Sequence, residues 1–272
     1  MSANTERTAG ATAPVASYPD LAGKVAVITG SSKGIGAATA RLLAVNGVRV
    51  LINGRDERAV GETVRDIRAS GGEAMGIVID ITGPDALERL RTKTERSYGP
   101  VDLLGAFVGG STRPPQPTAD ITPADWHAAI DGNLTITFLT LKTFLPGMMD
   151  RGRGAIVTLA SAAARLPGGG RIGAPTAYAT AKSGVVRLTQ EVAKEAAPDG
   201  VRVNCVSPST ILTERLNEVI PEDRRKQMTL MHPLGRLGVP DDVAGSVVFL
   251  MSESASWITG VTLDITGGQV MR

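Results

Sequence analysis

Short apolar, β-branched runs alternate with stretches of helical periodicity along almost the whole chain. This alternation constrains the fold more than any single motif. The strand-like runs are "KVAVIT" (24–29), "VRVLIN" (48–53), "MGIVID" (75–80), "VDLLGAFV" (101–108), "GAIVTLA" (154–160), "VRVNCVS" (201–207) and "VTLDIT" (261–266). Between them lie helix-like segments at 35–47, 55–72, 84–99, about 123–149 and about 176–197, several stopped by Asn-Gly or Gly. Strands that are apolar throughout, not in alternation, belong to a parallel sheet covered on both faces. Right-handed crossovers then require a doubly wound α/β sheet of about seven strands. Neither a repeat nor a linker-like shift in composition interrupts residues 21–272, so one domain is expected there. The small, polar, proline-containing residues 1–20 read as a flexible tail.

The bulk numbers exclude several classes of function. Lys and Arg number 29 against 27 Asp and Glu, with no basic run, which argues against a nucleic-acid partner. The single cysteine, Cys205, forms no intrachain disulfide, and His127 and His232 stand far apart without metal-ligand spacing. No uncharged apolar run approaches the roughly 18 residues of a membrane span. The start of the chain does not read as a secretion signal. A cytoplasmic protein without a membrane or metal is the expectation.

The first strand runs into "VITGSSKGIGAATA", with Gly30, Gly34 and Gly36 spaced GxxxGxG. A glycine-rich turn that follows the first strand and opens the first helix lets backbone approach a pyrophosphate, whose charge then faces a helix N-terminus. Farther along, "AYATAK" places Tyr178 and Lys182 four residues apart, on one helical face. A phenol ionises near 10, and an ammonium one turn away would lower that value toward the range useful for proton transfer. The same spacing also fits an ordinary surface pair.

"TGSSKGIG" resembles the cofactor motif of the short-chain dehydrogenases/reductases of about 250 residues. The resemblance recurs in order at Asp80-Ile81-Thr82, Asn133, Ser161, "YATAK" (178–182), "RVNCVSP" (202–208) and "WITGVTLDITGG" (257–268). It implies a Rossmann-like fold, a nicotinamide cofactor and hydride exchange between a carbonyl and an alcohol. In that reading Tyr178 is the general acid/base, Ser161 orients the carbonyl, and Lys182 tunes Tyr178 and binds the nicotinamide ribose. Asn133, through its side chain or its backbone, holds a water that resupplies the proton. The resemblance assigns the cofactor to Gly30, Ser32, Lys33, Gly34, Ile35, Gly36, Asp80, Ile81, Gly109, Tyr178, Lys182, Pro208, Ile211 and Thr213. Ser161 could otherwise be a cap, Asp80 a helix N-cap and Asn133 an exposed helical residue.

The second strand ends in Asn53-Gly54, where NAD-using relatives carry an aspartate for the ribose. Arg55 follows, and Lys33 lies in the glycine loop. Two cations without a carboxylate at the strand end suit the 2′-phosphate of NADP(H), although Asp56 could pair with Arg55. The expected activity is NADPH-dependent reduction of a small-molecule ketone, reversible as alcohol oxidation. The alternatives are an NAD-dependent secondary alcohol dehydrogenase and a non-catalytic dinucleotide-binding regulator.

The chain departs from the family pattern at Ala106-Phe107-Val108-Gly109, where Asn-Asn-Ala-Gly is usual, at Ser209 for glycine, and at Thr266 for aspartate. Residues 111–122, 165–176 and 214–235 are expected to surround the substrate, in a loop region spanning about 209–235. Met228, Leu230 and Met231 form either an adaptable lid or a surface helix. His232 reads as packed, not catalytic. The resemblance further implies a homotetramer, or a homodimer, built on helices 123–149 and 176–197 and the last strand.

Overall fold

The protein is described by a computed structural model covering residues 16–111, 113–167, 174–214, 216 and 220–271. The expected tail lies outside the described residues up to position 15. Seven strands are present: β1 (Val25–Thr29), β2 (Arg49–Gly54), β3 (Glu73–Val78), β4 (Leu103–Ala106), β5 (Gly154–Leu159), β6 (Val201–Pro208) and β7 (Thr262–Ile265). They form one sheet in the order β3-β2-β1-β4-β5-β6-β7, with every neighbouring pair parallel.

The helices are α1 (Gly34–Val45), α2 (Glu57–Ala69), α3 (Pro84–Tyr98), α4 (Pro123–Ile130), α5 (Ile136–Asp150), α6 (Thr176–Ala196), α7 (Glu222–Leu230) and α8 (Pro240–Met251). Residues of α1, α2 and α8 pack one face of the sheet through Leu43, Val60, Val247 and Met251. Residues of α3, α5 and α6 pack the other through Leu90, Phe144, Met148 and Val192. The doubly wound expectation is therefore met. The strand order reverses between β1 and β4, and such a switch point opens a crevice beyond the strands' carboxyl ends.

Three differences from the sequence reading have local physical causes. Helix α8 was not anticipated, although Pro240 at its first turn and Asp241 and Asp242 behind it are start signals. It packs against α1 and completes that face. The stretch 123–149 is not one regular helix, because a π-helical turn, Asp131–Thr135, joins α4 to α5. Strand β4 is only four residues long and stops at Ala106, so Phe107, Val108 and Gly109 are free to leave the sheet.

The lost asparagines at β4 are replaced by two devices. The Thr29 hydroxyl donates to Gly105 O (3.2 Å) and accepts from Phe107 N (2.9 Å), tying the end of β1 to the end of β4. The Phe107 ring is buried in the core alongside Ile28. Apolar packing plus one shared hydroxyl satisfies this strand end without an amide side chain.

Candidate active site

One continuous cleft of about 910 Å³ runs along the carboxyl ends of the strands, from Ser32 and Arg55 at one end to Tyr178 at the other. Its floor is the glycine loop. Gly30 (φ +70°) and Gly34 (φ +57°) adopt backbone conformations that side chains disfavour. Gly36 is required for another reason: a Cβ there would sit 2.4 Å from Gly30 O and 2.8 Å from the Ser31 Cα. Helix α1 thus starts in contact with the turn that precedes it, and backbone amides reach the cleft directly. Gly36→Ala is expected to push α1 away from β1 and destabilise the fold by about 1–3 kcal/mol, as overpacking does. A thermal melt checks this, and an unchanged midpoint would refute the close approach.

The wall at β2 is built by Asn53, which is buried. Its amide N–H donates to Ser31 Oγ (3.0 Å), and its side chain donates to Ile79 O (3.2 Å). Asn53 therefore braces three strand ends while it lines the cleft. Gly54 presents no side chain, and a Cβ there would lie 2.4 Å from Ser32 Oγ. An acidic side chain at this point would have to displace Ser32.

Beside this gap stand Lys33 and Arg55, each with a carboxylate. Lys33 Nζ lies 2.8 Å from Asp56 Oδ2, and Arg55 Nη1 lies 3.6 Å from Asp80 Oδ2. Asp56 pairs with Lys33, not with Arg55 as the sequence suggested, and it also caps α2 by accepting from Ala59 N (3.1 Å). Lys33 and that amide hold its carboxyl below the usual carboxylate range. Asp80 accepts from Thr82 N (3.2 Å) in a local turn, while Gly83 occupies the N-cap of α3, so Asp80 is not the cap. Ile81 is buried and lines the cleft with Asp80.

At the opposite end, α6 carries Tyr178 and Lys182 one turn apart. Tyr178 is half-buried and lines the cleft, whereas Lys182 lies behind the wall, 2% exposed. The Lys182 ammonium donates to Leu159 O (2.7 Å) at the end of β5 and stands 5.9 Å from the centre of the Tyr178 ring.

The directions of the two pKa shifts differ from the expected tuning. Burial raises the Tyr178 phenol above its usual 10, opposed by its interaction with Ser161. Burial lowers Lys182 from 10.5 to about 8, opposed by the neighbouring Cys205 thiol. The unfolded chain keeps the lysine proton up to its ordinary value. Stability from this group therefore rises with pH between about 8 and 10.5 and is absent below.

Ser161 follows β5 and begins a short 3₁₀ turn, where its Oγ accepts from Ala163 N (3.2 Å). The capping role is real, and it still leaves the hydroxyl proton available for donation. Asn133 sits in the π-helical turn and is 1% exposed, not solvent-facing. Its Oδ1 accepts from Gly110 N (2.9 Å), and its Nδ2 donates to Gly110 O (3.1 Å) and Ala129 O (2.9 Å). The side chain is thus engaged with backbone on all sides and clamps the loop after β4 to the helix. A Cβ on Gly109 would meet Asn133 Oδ1 at 2.6 Å and Lys182 Nζ at 3.1 Å. Gly109 therefore lets the cleft wall pass directly over both groups. π-Helical turns are frequently found at functional sites.

The remaining expected residues separate. Thr213 lines the cleft; Pro208 ends β6 and Ile211 is buried in the core, and neither is on the cleft surface. Met228, Leu230 and Met231 are also away from the cleft; α7 has no buried residue, and Leu230 is exposed. In this arrangement α7 is a surface helix. His232 is packed as expected: Ser209 Oγ lies 2.8 Å from its Nε2, and its Nδ1 donates to Met228 O (2.7 Å). Residues 112, 168–173, 215 and 217–219 of the expected substrate segments lie outside the described residues. One residue the sequence reading missed stands on the floor of the cleft. Glu214 Oε2 accepts from Gly34 N at 3.1 Å. The sequence reading has it beside Thr213, as the first residue of the expected substrate segment 214–235, with no role of its own.

The chain is similar to several known proteins. A family model described as enoyl-(acyl carrier protein) reductase matches residues 30–269. Glucose 1-dehydrogenase 2 of Bacillus subtilis (strain 168) is 32% identical over 259 residues, covering 93% of this chain and 97% of that protein. The 3-oxoacyl-[acyl-carrier-protein] reductase FabG of Escherichia coli (strain K12) is 32% identical over 249 residues, covering 92% and 98%. Among solved structures, a 7α-hydroxysteroid dehydrogenase complexed with NADH and 7-oxo glycochenodeoxycholic acid superimposes with a TM-score of 0.86. It is 33% identical, and the match covers 94% of this chain and 97% of that one.

Proposed function

The chain belongs to the short-chain dehydrogenase/reductase family, whose members related to it are oxidoreductases of hydroxyl and carbonyl groups, and from that premise we propose that it is an NADPH-dependent ketone reductase. One observation carries the reading: a single cleft joins the glycine loop to Tyr178. A dinucleotide laid along the loop would bring its reactive ring to the only cleft-lining phenol among the described residues. The residues fit such a group, because Gly36, Gly54 and Gly109, where a Cβ would collide with the surrounding protein, line the cleft with bare backbone.

Ser32, Lys33, Gly34, Ile35 and Gly36 would hold the phosphates, and Arg55 the 2′-phosphate, with Lys33 beside it. Asp80 and Ile81 would border the adenine, and Gly109 and Thr213 the nicotinamide end. Lys33 and Arg55 sit in solvent-exposed ion pairs, which water and salt screen, so a dianionic phosphate can draw them away at small cost. The lack of room for a carboxylate at Gly54 supports NADP(H) over NAD(H). The NADH of the 7α-hydroxysteroid dehydrogenase favours the second reading, an NAD-dependent secondary alcohol dehydrogenase.

When bound, the cofactor supplies the hydride for the carbonyl carbon. Tyr178 holds a proton on its hydroxyl and gives it to the carbonyl oxygen as charge develops there. Ser161, which interacts with Tyr178, donates its O–H to the same oxygen and stabilises that charge. Lys182, fixed on Leu159 O, would hold the nicotinamide ribose. Asn133 acts as a positioning residue that keeps the Gly109-Gly110 wall in place for both. Its backbone carbonyl, which accepts from Thr137 Oγ1 (2.7 Å), remains the candidate water anchor.

The test follows consumption of NADPH and of NADH with a panel of ketones across pH. A phenol with a raised pKa stays protonated at neutral pH, so reduction is expected to run well at about pH 6–7 and to weaken above about pH 8, as Lys182 loses its proton. Oxidation needs the phenolate and should rise with pH throughout. Oxidation that is faster at about pH 6 than at about pH 9 would overturn the assignment of Tyr178 as the base.

A homotetramer, or a homodimer, is part of the same proposal. It is supported by exposed Trp126 and Phe138 on α4 and α5, and by exposed Trp257, Leu263 and Met271 around β7. A cytoplasmic location belongs to the same proposal; among the described residues no helix is long and apolar enough to cross a membrane.

A further inference from the structure

We propose that Glu214 is a resident competitor for the phosphate-binding end of α1, and that it sets how tightly the chain holds its dinucleotide. The inference rests on the dinucleotide reading of the cleft and adds to it a residue that opposes binding.

Gly34 is the first residue of α1. Its N–H is one of the amides that no helical carbonyl can satisfy, at the positive end of the helix dipole. A pyrophosphate in the cleft needs this end of the helix. In the structure Glu214 Oε2 accepts from that N–H at 3.1 Å. A carboxylate thus sits where a phosphate oxygen would go, and it carries the same sign of charge.

The segment around it delivers the carboxylate. Thr213 presses on the glycine loop, with its Cγ2 3.0 Å from where a Cβ of Gly34 would stand. The Thr213 N–H donates to Ile211 O (2.9 Å), and its carbonyl accepts from Leu216 N (3.0 Å). This fixes the turn that begins at Glu214. The Glu214 side chain itself is exposed, so it can rotate into solvent without disturbing the core.

One N–H donates to one acceptor well, and two anions at one helix end repel each other. Dinucleotide binding must therefore displace the carboxylate. The apparent affinity is reduced by the fraction of molecules in which Glu214 is away. Product cofactor leaves more readily for the same reason, because the carboxylate is tethered next to the site it vacated.

The experiment titrates the wild type, Glu214→Ala and Glu214→Gln with NADPH and, separately, with NADH. Glu214→Ala is expected to lower Kd for both by about three- to tenfold and to leave their ratio unchanged, because the pyrophosphate is common to both. Glu214→Gln, which keeps an acceptor but loses the charge, should fall between. The thermal midpoint of ligand-free Glu214→Ala should drop, while that of the NADPH-saturated variant should not. An unchanged or raised Kd in both variants would overturn the competitor and leave the cofactor reading intact. Failure of the wild type to bind either nucleotide would overturn both.

Discussion

Tyr178→Phe is expected to lower kcat for ketone reduction by about a thousandfold or more, within the range that general acid/base catalysis supplies. The change removes one oxygen and keeps the ring, so the fold and the cleft should persist. Lys182 makes its hydrogen bond to Leu159 O and not to the phenol, so it should not be displaced. The NADPH dissociation constant should accordingly stay within about threefold of wild type, because no charge-assisted contact is lost. Steady-state kinetics paired with a fluorescence titration separates the two effects. Full turnover by the variant would remove Tyr178 from the chemistry, and parallel loss of NADPH binding would make it a structural residue instead.

The second large effect concerns the choice of cofactor. Arg55→Asp should raise KM for NADPH by about 10- to 100-fold, the loss of one charge-assisted contact to a phosphate plus a new repulsion. Asp80 stands next to the substituted position and adds a second negative charge there. The KM for NADH should not rise in this way, because its adenosine ribose carries an uncharged hydroxyl at the 2′ position. Arg55→Ser, without the new charge, should raise the NADPH value by a smaller factor. Comparison of kcat/KM for the two cofactors reads the outcome. A ratio that does not move in either variant would favour the NAD-dependent reading, for which Gly54 would then need a different explanation.

The sheet was legible because buried parallel strands must be apolar throughout, and no other use of such runs fits their regular alternation with helices. The glycine loop was legible for a related reason, since a backbone in contact with itself at Gly36 admits nothing larger. What escaped the sequence was partner choice. Spacing placed Lys182 beside Tyr178, but the ammonium turned to Leu159 O, a group brought close only by the packing of α6 on β5. Asp56 followed Arg55 in sequence yet paired with Lys33 from another loop. The π-helical turn at Asn133 reflects a side chain drawn to Gly110, 23 residues away in sequence. Glu214 reaches Gly34 across 180 residues, a distance over which no local pattern carries information. Helix α8 was a different kind of miss, because Pro240 and its two aspartates announced it.

The bond between Ser209 and His232 has a consequence for how such a chain diversifies. It joins two residues 23 positions apart, at the end of β6 and just after α7, while Leu234 N binds Gly267 O beside it. The segment between is therefore tied off at its base like a noose, with both ends held on the sheet. Doubling the length of a segment closed in this way costs only about 0.6 kcal/mol of additional closure entropy. Residues can be inserted, deleted or exchanged within it while Ser161, Tyr178 and Lys182, all anchored elsewhere, keep their places. The segment and the residues proposed for the chemistry are thus separately attached pieces of one chain.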